Sequence, residues 1–359
     1  MTFDQLKSLY AGKRVFLTGH TGFKGAWMLP LLKHLGATTL GYALAPETTP
    51  SMFDLLKGEQ LCESVFADLR DRATLTKTLV RFKPDVVMHF AAQSLVRRSY
   101  RDPIDTFESN ILGTANVLEA VRQYDGRCAI VAITTDKVYA ESGKAGYAYV
   151  EADKLGGWDP YSTSKAACEI VAEGYRLSFF HPRDHAKHGK ALATARAGNV
   201  IGGGDWCEDR LIPDVVRAMS RGESVRLRNP RSVRPWQHVL EPLTGYLTLG
   251  AKLMAEPTTF AEGFNFGPDE NDVLEVETVV QLALRAWGSG RYHVDVDSNA
   301  PHESAYLKIN STKAKQRLGW TPRWDARMAI TKTVEWYRHA MSDPLAYTNE
   351  QIRGYFDRS

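Results

Sequence analysis

KRVFLTGHTGFKG, residues 13–25, joins an apolar β-strand to a glycine-rich turn and then to an apolar helix. That order is the context in which a glycine turn takes a dinucleotide. Gly19 permits the sharp turn, Gly22 lets backbone N–H groups approach a pyrophosphate at the helix N-terminus, and Gly25 lets helix and strand pack closely. The whole run Gly19, His20, Thr21, Gly22, Phe23, Lys24 and Gly25 is therefore expected to face a cofactor. Its spacing is GxxGxxG.

Outward from this turn the pattern repeats: ATTLGYAL at 37–44, ESVFADL at 63–69, DVVMHFAA at 85–92 and CAIVAITT at 128–135 alternate with amphipathic stretches. Strands apolar almost throughout indicate a parallel sheet covered on both faces. The expected fold is α/β, a doubly wound parallel (Rossmann) sheet with a smaller, mixed α/β C-terminal lobe. Residues 1–195 would form the first domain, with about 235–268 returning to it; 196–234 and 269–359 would form the lobe that binds substrate. The second strand ends at Tyr42, Ala43, Leu44 and Ala45, without the acid that usually holds the adenosine ribose. Neither Arg nor Lys stands there to take a 2′-phosphate, which favours NAD over NADP.

The 359 residues, 43% hydrophobic and 24% charged, have ordinary globular usage, long enough for a full core. The first residues carry Asp4 and only short apolar runs, so neither a secretory signal nor a membrane anchor is read there, and a cytoplasmic location is expected. The four cysteines, Cys62, Cys128, Cys168 and Cys207, are widely spaced and suit reduced thiols, with no metal site expected. A net charge of +3 argues against nucleic acid, while the local basic excess at 217–234 suits a small anion. His181, His185 and His188 lie in a polar loop, and Trp206, Trp236, Trp320 and Trp324 are read as packed side chains.

Tyr161 and Lys165, in YSTSK after Pro160, fall four apart on one helix face. An ammonium near a phenol favours the phenolate, so Lys165 is expected to bring Tyr161 toward proton exchange with a sugar hydroxyl. The glycine spacing, the YxxxK pair and their separation resemble the extended short-chain dehydrogenases. In that group Thr135 would complete a triad, Asp68 and Leu69 would lie beside adenine, and Ala91 and Ala92 would touch the cofactor. Read from the residues alone, Asp68 is equally a helix N-cap.

More narrowly, GHTGFKG at 19–25, HFAAQSLVRRSY at 89–100, DPYSTSK at 159–165, RAGNVIGGGDW at 196–206, RPWQHVLEPLTGY at 234–246 and NFGP at 265–268 resemble segments of the CDP-glucose 4,6-dehydratases. The loop from Val138 to Gly157 departs from the Trp-bearing loop of that family. The resemblance implies conversion of CDP-glucose to CDP-4-keto-6-deoxyglucose, a step toward deoxysugars such as those of lipopolysaccharide O-antigens. It implies that Tyr161 takes the C4 hydroxyl proton, Asp136 protonates the departing C6 hydroxyl and Lys137 removes the C5 proton. Lys137 stands where related dTDP-glucose enzymes carry Glu, and a salt-bridging strand-end lysine is its other reading. Asn199, Arg210 and Arg234 match positions that hold the diphosphate, although Arg210 also reads as a solvated helix cap. Ser94 would contact the sugar, and His302 with Glu303 would close the pocket. A homodimer through helices around 100–125 and 161–180 is implied as well. An epimerase or dehydratase on another nucleotide sugar, and an inactive NAD-binding scaffold, are the competing functions.

Overall fold

The computed structural model describes residues 1–144, 146–295 and 307–357. Its centre is a seven-stranded sheet of β1 Arg14–Thr18, β2 Thr38–Ala43, β3 Glu63–Phe66, β4 Val86–His89, β5 Cys128–Ile133, β6 Lys190–Arg196 and β7 Gly263–Asn265, ordered β7-β6-β5-β4-β1-β2-β3. Every pairing within it is parallel. The fold class expected from the sequence is the one observed.

Side chains of successive strand residues point to opposite faces, so a strand apolar at every position must be covered twice. Val15 and Leu17 join one core cluster and Phe16 the other; Ala129, Val131 and Ile133 part in the same way from Cys128, Ile130 and Ala132. Helix α1, Phe23–His34, whose residues Gly25–Leu32 are all buried, covers the first face. Helices α2 Arg72–Phe82, α3 Gly113–Arg122 and α4 Pro160–Ser178 contribute Leu75, Leu79, Val117, Val121 and Ala172 to the second.

Beyond β6 lie α5 Leu211–Ser220, α6 Leu240–Ala255, α7 Val276–Trp287, α8 Ala326–His339 and α9 Pro344–Phe356, with a parallel strand pair, Ser224–Leu227 against Arg291–Val294. Helix α6 is buried on nearly all sides and packs on the first face. From its first turn Glu241, fully buried, fastens the C-terminal segment: it accepts from the Trp324 amide at 2.8 Å, the Arg323 amide at 3.1 Å and the Tyr355 hydroxyl at 2.8 Å.

The order of strands reverses between β1 and β4, and the crevice beyond their carboxyl ends is where such sheets bind ligands. Thr18 and His89 meet there, Oγ1 to Nδ1 at 2.7 Å, and the other ring nitrogen reaches Thr114 at 3.0 Å. With one nitrogen bonded within the sheet and the other to α3, the buried His89 ties β4 to its neighbours below the crevice. No helix among the described residues is long and apolar enough to cross a membrane.

Candidate active site

A cavity of about 640 Å³ opens over that crevice, lined by the glycine turn, the ends of β2 to β6 and the segments 205–215 and 225–236. The turn forms one wall because nothing larger than glycine fits it. Gly19 has φ +74°, and a Cβ there would lie 2.6 Å from the Ala91 amide nitrogen; one on Gly25 would lie 2.1 Å from the Gly19 carbonyl oxygen. Gly22, in contrast, would bring a Cβ only to van der Waals contact, 3.5 Å from the Gly19 carbonyl oxygen, and caps α1 with no side-chain hydrogen bond, leaving first-turn N–H groups for an anion. That cradle fits the pyrophosphate of NAD.

Within the turn the side chains part company. Thr21, Phe23 and Lys24 line the cavity, and the Thr21 hydroxyl donates to the Leu44 carbonyl at 2.9 Å. The His20 ring turns the other way. It is fully buried, lies against Gly41, Phe53 and Phe66, and bonds Ser64 at 3.2 Å, so burial pushes its pKa down to about 4. A Cβ on Gly41 would sit 2.3 Å from that ring, which accounts for a glycine inside β2. The His20 side chain is thus a neutral brace behind the turn. Lys24 extends toward the reaction centre: burial first, then Arg210 and Lys165, hold its pKa down to about 8 against Asp136 and Asp205.

At the far end, Asp68 and Leu69 line the cavity with Ala91 and Ala92. Asp68 is not a helix cap. Asp71 caps α2, accepting from the Thr74 amide at 3.1 Å, while Asp68 takes both Nε and Nη2 of Arg70, at 2.9 and 2.6 Å. Asp105 and Glu108 accept from the same arginine at 3.1 and 3.3 Å. Three carboxylates thus neutralise Arg70, the guanidinium that Asp68 holds.

The catalytic residues expected from the sequence lie at the end of β5 and on α4. Pro160 opens α4 behind an Asp159 and Ser162 capping box, which fixes the first turn and sets Tyr161 and Lys165 on the cavity side. Their relation differs from the sequence expectation. Lys165 donates to the Ile133 carbonyl at 3.1 Å, and burial lowers its pKa. The groups that pull the Tyr161 phenol down are the Thr135 hydroxyl and Arg210, and burial outweighs both, pushing it up to about 12. A shared helix face puts two side chains near each other, but a carbonyl at the end of β5 claims the ammonium.

Thr135 caps the turn Asp136–Val138, and its hydroxyl donates to Asp136 Oδ1 at 3.0 Å. Asp136 is buried to 2% exposure, with Oδ2 lacking a hydrogen-bond partner among the described residues. Burial raises its pKa, opposed by Lys137, the Thr135 hydroxyl, Arg234 and Lys24. A Cβ on Gly198 would lie 1.7 Å from Oδ2, so the glycine of RAGNV makes room for this carboxyl. Lys137 lines the main cavity and the small one beside it.

Of the expected grip residues, Arg234 is buried beside Asp136 and donates to its neighbour's carbonyl at 3.0 Å. Asn199, at φ +45°, lines the cavity in the left-handed conformation that Asn tolerates. Arg210 stands at the N-cap of α5, partly exposed and without a side-chain cap bond; its guanidinium donates instead to Asp205 at 2.8 Å and to Ser94 Oγ at 2.9 Å. His302 and Glu303 lie outside the described residues. Sequence reading missed Asp205, Gly198 and Asp209, as well as the arginines Arg97 and Arg228, all brought to the cavity. Trp206 and Trp236 also line it.

The sequence profile of the GDP-mannose 4,6 dehydratase family matches residues 16–333. The CDP-glucose 4,6-dehydratase of Salmonella typhimurium is 46% identical over 351 residues, 97% of this chain and 98% of that protein. Among solved structures, a dTDP-glucose 4,6-dehydratase double mutant from Streptomyces venezuelae with NAD bound superposes with a TM-score of 0.77 at 22% identity, covering 92% of this chain and 99% of that one. The Thermus thermophilus UDP-glucose 4-epimerase in complex with NAD has a TM-score of 0.77 at 25% identity, covering 91% and 99%.

Proposed function

The chain belongs to the GDP-mannose 4,6 dehydratase family, within the extended short-chain dehydrogenases, and we propose from that premise how its residues divide the work. The protein is an NAD-dependent lyase that converts CDP-D-glucose to CDP-4-keto-6-deoxy-D-glucose. When bound, NAD would supply the acceptor for the C4 hydride, the donor that returns it to C6, and a positive ring charge in the site.

Tyr161 takes the proton of the C4 hydroxyl, held by the Thr135 hydroxyl and favoured by Arg210 against the cost of burial. The C4 ketone acidifies C5, from which Lys137 removes the proton and to which it returns that proton once C6 has been reduced. Asp136 gives its proton to the C6 hydroxyl, which leaves as water. The carrying observation is Asp136 itself: burial raises the pKa of its carboxyl, which favours the protonated form that an acid at C6 needs, and its Oδ2 has no hydrogen-bond partner among the described residues. An epimerase has no use for such a group. Lys165 and the α1 N-terminus hold the cofactor, with His20 bracing the turn from behind; the neutralised Arg70 supports NAD over NADP. Asn199, Arg210 and Arg234 grip the diphosphate, Ser94 meets the sugar, and 196–234 with 269–359 form the gripping lobe.

Ile104 and Leu112, which precede α3, and Ile170, Leu177 and Phe179, on and just after α4, are exposed, which supports a homodimer through the helices around 100–125 and 161–180. A cytoplasmic enzyme supplying deoxysugars, including those of lipopolysaccharide O-antigens, fits this chemistry.

Purified protein with NAD+ and, separately, CDP-glucose, dTDP-glucose, UDP-glucose and GDP-mannose, followed by mass spectrometry, tests the reading. Loss of one water from CDP-glucose alone is expected. Epimerisation at unchanged mass would overturn it, and NAD binding without any turnover would make the protein a scaffold.

A further inference from the structure

Two loops meet over the cavity mouth and hold each other crosswise. From the first, Ser94 accepts Arg210 Nη2 at 2.9 Å, while Arg97 reaches Asp209 at 3.5 Å. From the second come Arg210 and Asp209. Arg228, just beyond the strand Ser224–Leu227, approaches the same Asp209 oxygen at 3.4 Å and also faces Asp214. Asp209, Arg97 and Arg228 all line the cavity.

Asp209 therefore stands between two arginines from separate parts of the chain, in a left-handed backbone conformation of φ +59° that few L-residues adopt. A guanidinium accepts phosphate and carboxylate by the same geometry. Both contacts are longer than the 2.7–2.9 Å of a well-made charged hydrogen bond, and all three side chains are partly exposed. Such pairs are weak and open to exchange.

We infer that Asp209 is an internal stand-in for a diphosphate: its carboxylate neutralises Arg97 and Arg228, and a diphosphate ester must displace it to reach them. This rests on the reading of the cavity as a nucleotide-sugar site. The carboxylate keeps two like charges from repelling each other, and it becomes a like charge itself once phosphates arrive. Asp209 thus competes with ligand at the mouth and sets how tightly the nucleotide is held. The same chemistry belongs to a nucleotide sugar and to a dinucleotide; Asp209 and Arg228 come from the segment 196–234 assigned above to the substrate lobe, which favours the nucleotide sugar.

The test is Asp209→Asn, which keeps the shape and suits a left-handed position. Calorimetric titration with CDP, cytidine and NAD separates the sources. CDP should bind roughly three- to ten-fold more tightly to the variant, with a smaller gain at high salt, while cytidine and NAD are unchanged. The gain should vanish in Arg97→Met/Asp209→Asn. Unchanged or weaker CDP binding would overturn the inference, as would a gain shared by cytidine, which would mean loop opening without charge exchange. A gain confined to NAD would overturn the assignment to the nucleotide sugar. If CDP fails to bind the unaltered protein, it is the nucleotide-sugar reading that fails instead.

Discussion

The floor of the cavity and its mouth are made by different physics. At the floor, Thr135, Asp136, Tyr161 and Lys165 are all buried, and burial is the largest influence on the acid and the phenol. At the mouth, Arg97, Arg98, Arg228 and Asp209 are partly exposed and held by ion pairs across loops. Buried groups have protonation states that the fold imposes; exposed ion pairs exchange partners at little cost. In the function proposed above, one end serves proton transfer and the other lets a charged ligand in and out.

The largest expected effect lies at the floor. Tyr161→Phe should lower kcat by about 10³-fold, with NAD binding and melting temperature nearly unchanged; a variant that keeps a tenth of its activity breaks the assignment. Asp136→Asn should slow water loss by about 10²-fold while cofactor reduction still occurs, visible by absorbance in single turnover. Because burial raises the Asp136 pKa, kcat should fall as pH rises through that value, and the asparagine variant should lose this limb. Gly198→Ala drives a methyl into the same carboxyl, so its rate should fall alongside that of Asp136→Asn, although no charge is altered.

Glu241 sharpens the contrast, since it is buried but distant from the cavity lining. Burial pushes its pKa up to about 7 from the usual 4.5. The folded state then binds more protons than the unfolded chain between these values. The associated stability is full below the unfolded pKa and is lost as pH rises through about 7. Chemical denaturation should show about 2 kcal/mol less stability at pH 8 than at pH 5 from this group, and Glu241→Gln should flatten that slope without changing kcat. A changed kcat would mean that burial alone does not separate chemistry from scaffold.

The smallest effect belongs to the mouth. Arg228→Ala should raise KM for the nucleotide sugar by about five-fold at low salt and less at high salt, with kcat nearly constant. An effect as large as that of the floor variants would erase the distinction.

What the sequence determined by itself was everything set by local period and local backbone need. Alternating apolar strands demanded two covered faces; GxxGxxG after a strand demanded a turn that only glycine makes; and YxxxK after Pro160 put two side chains on one helical face. Those residues now line one cavity. The tertiary structure decided which charge faces which. Lys165 bonds the end of β5 and leaves Arg210 to face the phenol, His20 turns into the protein against Gly41, and Asp68 holds Arg70 and caps nothing. Asp205 and Asp209 meet arginines close by in the chain and far along it, and Gly198 yields its space to a carboxyl 62 positions earlier, from Asp136. Conformational preference acts over a few residues and leaves its mark in the sequence. Electrostatic partnership depends on distance in space, which no spacing along the chain encodes.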